Sequence, residues 1–231
     1  MARAGVLLLV LAAVAVVAFA SDADPVADFV LSAANGPVTG SNFAFRGLNN
    51  VNVTSGQGSG ARSANVATFP ALTLIKKLLA LPVQGISYTY INYAPCGQNP
   101  IHTHPRATEL LFVIEGQLYV GFVDTNNTLF STTLNAGDAF VFPRGLIHFQ
   151  QNTSPYGGAR ALAALNSQNP GTQRVGSALF LPSGIPGTIT QVAFNAQAAA
   201  LEAIKQNFPA SGNPVGTSDT GCGRGFTYQD N

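Results

Sequence analysis

The stretch of chain that decides the fold is residues 137–152, GDAFVFPRGLIHFQQN. It holds two short apolar runs, Ala139–Phe142 and Leu146–Gln150, separated by the turn-forming residues Pro143 to Gly145. Short apolar runs bounded by Gly, Pro, Asn and Asp are typical of strands in a β-sandwich or β-barrel. The stretch therefore predicts antiparallel strands joined by tight turns.

The same pattern continues on both sides of this stretch. Further β-like runs are Ile86–Tyr93, Glu109–Ile114, Leu118–Val123, Leu129–Leu134, Arg160–Leu165 and Ser177–Leu181. Residues 49–64 are rich in Gly, Ser and Asn, and we predict a loop there. The sequence as a whole predicts an all-β domain.

The hydrophobic period changes only near the C-terminus. Leu201, Ile204 and Phe208 are spaced by three and four residues within Ala196–Phe208, behind Asn195 as a candidate N-cap. We therefore predict one short C-terminal helical segment. Its apolar residues are expected either to clasp a neighbouring subunit or to cap their own barrel.

Composition excludes several classes of protein. The chain has 231 residues, of which 46% are hydrophobic and 9% charged, so an intrinsically disordered chain is excluded. Eleven Lys and Arg balance ten Asp and Glu without any basic or acidic run, which argues against a nucleic-acid partner and a polybasic membrane surface. Small molecules and other protein surfaces remain as partners.

The N-terminus has the pattern of a secretory signal peptide. Arg3 precedes an apolar run, Val6–Val17, and Ala18-Phe19-Ala20 is a small-x-small cleavage site. We predict a signal peptide over 1–20, a domain over 21–208 and a C-terminal extension over 209–231. The mature chain is then secreted, formally neutral and without a transmembrane segment.

Secretion gives meaning to the sequons and the cysteines. Asn52 and Asn126 stand in turn-like polar stretches and are predicted to carry glycans. Cys96 and Cys222 are the two cysteines of the chain, and in an oxidising compartment we predict that they form a disulfide. The alternative is a free Cys96 thiolate near a metal.

The three histidines of the chain point to a metal site. His102 and His104 form a His-x-His pair, and alternate residues of a strand point to the same side. Glu109 follows at an odd offset, so Pro105 or a bulge must interrupt the strand if Glu109 is to join them. His148 lies on a later predicted strand and says little alone.

Together these residues carry a family resemblance. The segment from Cys96 to Gly116 is similar to the first cupin box, Gly-x5-His-x-His-x4-Glu-x6-Gly, and residues 137–152 fit every fixed position of the second, Gly-x5-Pro-x-Gly-x2-His-x3-Asn. More narrowly, Asn99–Glu109, Pro143–Gln150 and Asn166–Gly171 resemble the germin and germin-like proteins of plants. The similarity runs from about Asp24 to Phe208.

The resemblance implies a single cupin jelly-roll β-barrel that forms a homohexamer in the apoplast or cell wall. It also implies manganese, with iron as the alternative, bound by His102, His104, Glu109 and His148 and acting as the catalytic centre. Three imidazoles and one carboxylate suit either metal and leave two octahedral positions free. The third sequon, at Asn152, then falls on a residue inside the barrel and is predicted to stay without a glycan.

The chain departs from the family pattern in three places. Cys96 replaces the glycine of the first box, and the stretches 28–30 and 35–38 lack the usual N-terminal cysteine pair. The tail beyond Phe208 is longer than is typical and carries Cys222. These departures leave the four ligand positions intact.

Three functions compete. The first is a manganese superoxide dismutase, which needs a redox-active ion with an open position and acts on a small oxygen-derived anion. The second is oxalate oxidase: Asn99 matches one substrate asparagine of the family and Gln150 is a partial donor, but Thr89 stands where the second asparagine would be and Asn92 replaces an acid. The third is a non-enzymic cell-wall or receptor-like binding protein with a structural metal, in a family that also includes proposed nucleotide-sugar phosphodiesterases.

Overall fold

The computed structural model describes residues 39–51, 59–65, 85–206 and 208. The predicted signal peptide over 1–20, the extension over 209–231 and the sequon at Asn52 lie outside the described residues. Cys222 lies outside them as well, so its pairing with Cys96 stays a prediction.

Within these residues the chain forms ten strands in two antiparallel sheets. The strands are β1 (Ser59–Asn65), β2 (Ser87–Tyr93), β3 (Gln98–Thr103), β4 (Glu109–Glu115), β5 (Gln117–Val123), β6 (Leu129–Asn135), β7 (Ala139–Phe142), β8 (Ile147–Asn152), β9 (Ala159–Leu165) and β10 (Gln173–Arg174). The sheet orders are β1-β2-β9-β4-β7 and β10-β3-β8-β5-β6. Several consecutive strands lie in opposite sheets, and the prediction of an all-β jelly-roll fold is confirmed.

The core lies between the two sheets. On β4, Glu109, Leu111 and Val113 are buried while the alternate residues face outward. The buried apolar residues of the other strands meet them, among them Ile91, Leu118, Val120, Phe142, Ala161 and Leu165. The period-two pattern of the sequence therefore sets which side chains point into the barrel, polar ones included.

The outward face of the first sheet is apolar as well. Leu110, Phe112 and Ile114 on β4 are 47%, 45% and 41% exposed, and Val141 on the neighbouring β7 is 51% exposed. Leu110 and Val141 are register partners, so these side chains form one patch. We call this patch of four residues the outer-face patch.

Three short helices follow the barrel: α1 (Val175–Phe180), α2 (Gly187–Ala193) and α3 (Ala198–Lys205). The prediction of a strand over Ser177–Leu181 is wrong, because apolar residues in so short a run fit a helix as well as a strand. The candidate N-cap Asn195 is also wrong, since Gln197 is the N-cap of α3. Asn195 has φ +47° just after α2 ends, a left-handed conformation that Asn tolerates.

The prediction of a loop over residues 49–64 is wrong in its second half. β1 begins at Ser59 and pairs with β2 along its whole length, from Ser59 opposite Tyr93 to Asn65 opposite Ser87. Gly and Ser have little strand preference of their own. Main-chain pairing with the edge of an existing sheet forms a strand there without help from side-chain preference.

Candidate metal centre

Four predicted ligands come together from both sheets. His102 on β3 and His148 on β8 are register partners in the second sheet. His104 follows the end of β3, and Glu109 is the first residue of β4 in the first sheet, where it pairs with Phe142 and Leu165. The four residues are 7% exposed or less. They therefore form a buried polar cluster between the sheets.

The predicted interruption between His104 and Glu109 is present, at the turn that contains Pro105. β3 ends at Thr103, and the chain crosses to the other sheet through residues 104–108. Glu109 faces the histidines because the two sheets face each other. An offset of five residues is therefore no obstacle.

Each imidazole is fixed by a main-chain carbonyl. The Nδ1 atoms of His102, His104 and His148 lie 2.7, 2.6 and 2.8 Å from carbonyl oxygens. These oxygens belong to Pro100, Gly171 and Leu146. A carbonyl only accepts, so each Nδ1 carries the hydrogen and each Nε2 presents a lone pair to the cluster.

The lone pairs then face one another and a carboxylate. His104 Nε2 lies 3.0 Å from Glu109 Oε2, and His148 Nε2 lies 3.5 Å from the same oxygen. His148 Nε2 is buried without any hydrogen-bond partner. A carboxylate and imidazole nitrogens this close attract one another only when a proton or a cation lies between them, and an unpaired buried polar atom costs about 1–3 kcal/mol. The cluster therefore suits a bound cation.

The spacing fits one ion. One ligand atom from each of the four residues lies within 4.8 Å of every other. Metal bonds of about 2.0–2.6 Å place two ligands of one ion at most about 5 Å apart. The donor set of three nitrogens and one oxygen, the spacing and the orphaned Nε2 of His148 all fit a divalent transition metal.

Electrostatics keep His102 and Glu109 in their metal-binding protonation states. Burial, followed by the neighbouring His148, lowers the pKa of His102 from 6.5 to about 3, so this imidazole stays neutral. Burial alone would raise the pKa of Glu109, but contacts with His104 and His148 outweigh it and lower that pKa from 4.5 to about 2. A neutral imidazole and an ionised carboxylate are the forms that bind metal.

A chain of two amides reaches the carboxylate from behind. Gln150 Nε2 donates to Glu109 Oε1 over 3.3 Å, and Asn99 Nδ2 donates to Gln150 Oε1 over 2.7 Å. Gln150 is fully buried and Asn99 is half-buried. The structure thus places both predicted substrate-adjacent amides beside the cluster, where they orient Glu109 so that Oε2 points toward the histidines.

Two other positions named in the sequence analysis lie on β2. Thr89 is half-buried there and pairs with Ala163. Asn92, which replaces an acid of the family pattern, donates through Nδ2 to the carbonyl of Val51. A carboxylate could not donate that bond, so Asn92 has a structural use in this chain.

Sequence reasoning missed three features of the site. Phe142 stacks on the His148 ring with centroids 4.6 Å apart. The carbonyl of Gly171 fixes His104 from 67 residues away. Tyr93 is buried with its hydroxyl unpaired, and burial together with the Glu109 charge raises its pKa well above 10. The segment Asn166–Gly171 entered the sequence analysis only through the family resemblance, which says nothing of its contact with His104.

The two sheets with inward-facing histidines and a glutamate define a cupin. In agreement, the Cupin family profile matches residues 47–201. Among curated proteins, germin-like protein 1-1 of Oryza sativa subsp. japonica is 46% identical over 173 residues, covering 74% of this chain and 76% of that protein. Germin-like protein 8-7 of the same species is 42% identical over 219 residues, covering 87% and 93%. The chain belongs to the germin-like family of cupins, as its sequence motifs predicted.

Solved structures agree with this assignment. An oxalate oxidase structure superposes with a TM-score of 0.69 at 33% identity, covering 83% of this chain and 100% of that chain. A recombinant oxalate oxidase in complex with glycolate gives a TM-score of 0.70 at 32% identity with the same coverage. These proteins share the fold of this chain across the whole of their own length.

Proposed function

We propose that the protein is a secreted manganese-binding germin-like protein with superoxide dismutase activity. One observation carries the proposal: three Nε2 lone pairs and the Glu109 carboxylate converge inside the barrel with a buried Nε2 that has no partner. A cation would pair with all four ligand atoms and satisfy the orphaned Nε2, and the family to which the chain belongs supports a metal there.

Manganese suits this donor set, with iron as the alternative. Imidazole and carboxylate are borderline-hard ligands, and four protein ligands leave two octahedral positions for small molecules. A dipositive ion with one carboxylate keeps a net positive charge, which attracts small anions. When bound, manganese supplies the change of oxidation state that dismutation requires.

The protein residues provide orientation and enclosure. Gln150 holds Glu109 in place, and the carbonyls behind the three histidines fix their rings. Phe142 covers one face of the His148 ring and keeps water from it. A site held in this way needs little rearrangement when an anion binds.

Oxalate oxidase is the second candidate. It is supported by the solved oxalate oxidases of the same fold and by Asn99 and Gln150 beside the cluster. Oxidation of oxalate asks for a dianion held by donors at fixed positions, and each missing buried donor costs about 1–3 kcal/mol. Thr89 has a shorter reach than Asn, so we place dismutation first.

The test begins with metal analysis of the purified protein. We expect close to one manganese per chain, and loss of most of it in His148→Ala. The control is Gln151→Ala, which changes a half-buried neighbour on the same strand. Full manganese in His148→Ala would contradict the assigned ligand set.

The activity test uses the same manganese-loaded protein. We expect superoxide dismutation that is lost with the metal in His148→Ala, and little hydrogen peroxide from oxalate. Thr89→Asn is expected to raise oxalate turnover if the missing amide limits it. Strong oxalate oxidation by the unmodified protein would reverse the order of the two enzymes, and absence of both activities would favour the non-enzymic binding protein.

We also propose secretion to the apoplast or cell wall, with a glycan at Asn126. Asn126 is exposed in the turn after β5, where Asp124 accepts from its main-chain amide over 2.8 Å. Asn152 is fully buried and donates to the carbonyls of Ala94 and Gly157. Of the described residues, none belongs to a helix with the length and hydropathy of a membrane span.

A further inference from the structure

We propose that Arg106 is a positioning residue that sets the orientation of His104 through the segment 166–171. The inference rests on the proposed metal binding for its functional meaning, but its geometry stands on the described residues alone. Arg106 makes no hydrogen bond or ion pair with the four ligands in the described residues, so its action must pass through the segment that holds His104.

The guanidinium of Arg106 donates two hydrogen bonds to Asn169. Nε donates to the Asn169 carbonyl over 2.6 Å, and Nη2 donates to Asn169 Oδ1 over 2.9 Å. The main-chain amide of Arg106 also donates to the Pro170 carbonyl over 3.1 Å. One residue thus fixes two consecutive peptide groups of the segment, and the planar fork of arginine suits such a two-point contact.

The held segment delivers the carbonyl that His104 needs. Gly171 is the next residue, and its oxygen lies 2.6 Å from His104 Nδ1. Gly171 has φ +67°, and a Cβ at that position would lie 2.8 Å from Arg106 Nη2. The guanidinium therefore packs directly against the glycine whose carbonyl assigns the hydrogen of His104 to Nδ1.

The carbonyl that holds His104 is positioned by tertiary contacts, whereas the carbonyls that hold His102 and His148 are positioned locally. The carbonyls of Pro100 and Leu146 are each two residues before the histidine that they hold, so local strand and turn geometry fixes them. Gly171 is 67 residues from His104, and its position depends on contacts between separate segments. Arg106 supplies three such contacts, and Thr108 adds another through Asn166 Oδ1 at 2.8 Å.

The sign of the effect separates positioning from charge. Arg106 has no carboxylate partner among the ion pairs of the described residues, so replacing it removes a positive charge near the cluster. Loss of a nearby positive charge alone would strengthen cation binding. Loss of positioning weakens it, and removal of an outer contact of a ligand typically costs about 10- to 100-fold in affinity.

The first experiment measures manganese affinity by competition with a chelator. We expect Arg106→Gln and Arg106→Lys to bind manganese about 10-fold more weakly, because Lys keeps the charge without the fork. Arg160→Gln is the matched control, since Arg160 is exposed and pairs with Glu115 at the other end of β4. Unchanged or tighter binding in Arg106→Gln would overturn the inference.

A second series of variants changes Asn169, a milder substitution than loss of the arginine. Asn169→Ala removes the side-chain acceptor and is expected to weaken manganese binding, whereas Asn169→Asp keeps an acceptor and is expected to restore it. The double variant Arg106→Gln with Asn169→Ala should bind no more weakly than Arg106→Gln alone. This series decides the matter if the arginine variants fail to fold, and equal weakening by Asn169→Ala and Asn169→Asp would count against positioning.

The last readout needs no metal. Nitrogen NMR of the metal-free protein reports which ring nitrogen of each histidine carries the hydrogen. We expect His104 to hold it on Nδ1 in the unmodified protein and to show a mixture in Arg106→Gln, with His102 and His148 unchanged. An unmodified protein that binds no metal would defeat the proposed function, while an unaltered His104 signal in Arg106→Gln would defeat this inference alone.

Discussion

At the scale of single residues, two tyrosine hydroxyls of the sheets are in opposite situations. Tyr93 is buried with no hydrogen-bond partner for its hydroxyl, whereas Tyr119 donates to Ser131 Oγ over 2.9 Å. A buried hydroxyl without a partner pays its desolvation cost with nothing in return. The same chemical change at the two positions should therefore have opposite effects.

We expect Tyr93→Phe to leave the free energy of unfolding unchanged or to raise it by about 1 kcal/mol. Tyr119→Phe is expected to lower it by about 1 kcal/mol. Denaturant unfolding of metal-free protein measures both. A loss of 1 kcal/mol or more in Tyr93→Phe would mean that the hydroxyl has a partner in solution.

Two depressed pKa values give the metal-free protein a defined response to acid. His102 has a folded pKa of about 3 against 6.5, and Glu109 one of about 2 against 4.5. In both cases the unfolded chain binds the proton at a higher pH than the folded chain does. The contribution of these two groups to the free energy of unfolding is therefore fully present above pH 6.5. It is lost as the pH falls from 6.5 toward the folded pKa values.

We expect the unfolding free energy of metal-free protein to fall by about 3 kcal/mol between pH 7 and pH 4, mainly because of His102. Denaturant midpoints at stepped pH values measure this, with His102→Gln as the variant in which the decline should be shallower. A flat profile between pH 7 and pH 5 would contradict the low pKa of His102.

At the scale of elements, two turn glycines allow the energetic cost of backbone conformation to be measured apart from the cost of steric crowding. Gly116 joins β4 to β5 with φ +80°, and a Cβ there would lie 2.8 Å from the Gly158 carbonyl and the Ala159 side chain. Gly137 lies before β7 with φ +97°, and a Cβ there would meet nothing within 4 Å. Both positions favour glycine by conformation, but only Gly116 also faces the neighbouring strand.

We expect Gly137→Ala to cost about 1 kcal/mol of unfolding free energy, from conformation alone. Gly116→Ala should cost about 1–3 kcal/mol more, because the added carbon pushes against main chain that cannot move easily. Equal losses in the two variants would show that β9 yields to the intrusion. Denaturant midpoints with unchanged slopes provide the comparison.

The elements also show what the sequence could predict. Strands such as β7, with alternating or continuous apolar residues between turn signals, were predicted nearly to the residue, and the box spacing indicated all four ligands. β1 was missed because its strand state comes from pairing with β2, and α1 was misassigned because so short a run of mostly apolar residues fits either period. The carbonyl of Gly171 was beyond reach because its contact with His104 is a product of tertiary structure.

At the scale of the whole molecule, the distribution of apolar surface bears on assembly. Leu201 of α3 is 3% exposed and Phe208 lies 5.6 Å from Phe180 between ring centroids, so part of the predicted clasp packs on its own subunit. The outer-face patch remains in the open, and apolar surface of this kind marks a protein contact. We propose an oligomer that covers this patch. Six subunits are implied by the family resemblance alone.

We expect sedimentation velocity to show an oligomer at micromolar concentration. Phe112→Lys, in the outer-face patch, should lower the assembly state, because a lysine would be buried against the partner without a counter-charge. Tyr156→Lys is the control, since Tyr156 is 95% exposed in a loop. A monomer before any substitution would rule out the assembly.

The fully buried Asn152 has a consequence for biosynthesis. In the proposed secretory route, its sequon, Asn152-Thr153-Ser154, would reach the glycosylating enzyme in an extended chain, before the barrel has formed. A sugar attached at that moment could not fit where the Asn152 amide reaches the carbonyls of Ala94 and Gly157. A glycan at Asn152 would therefore prevent the barrel from closing, and closure of the barrel first would leave Asn152 unmodified.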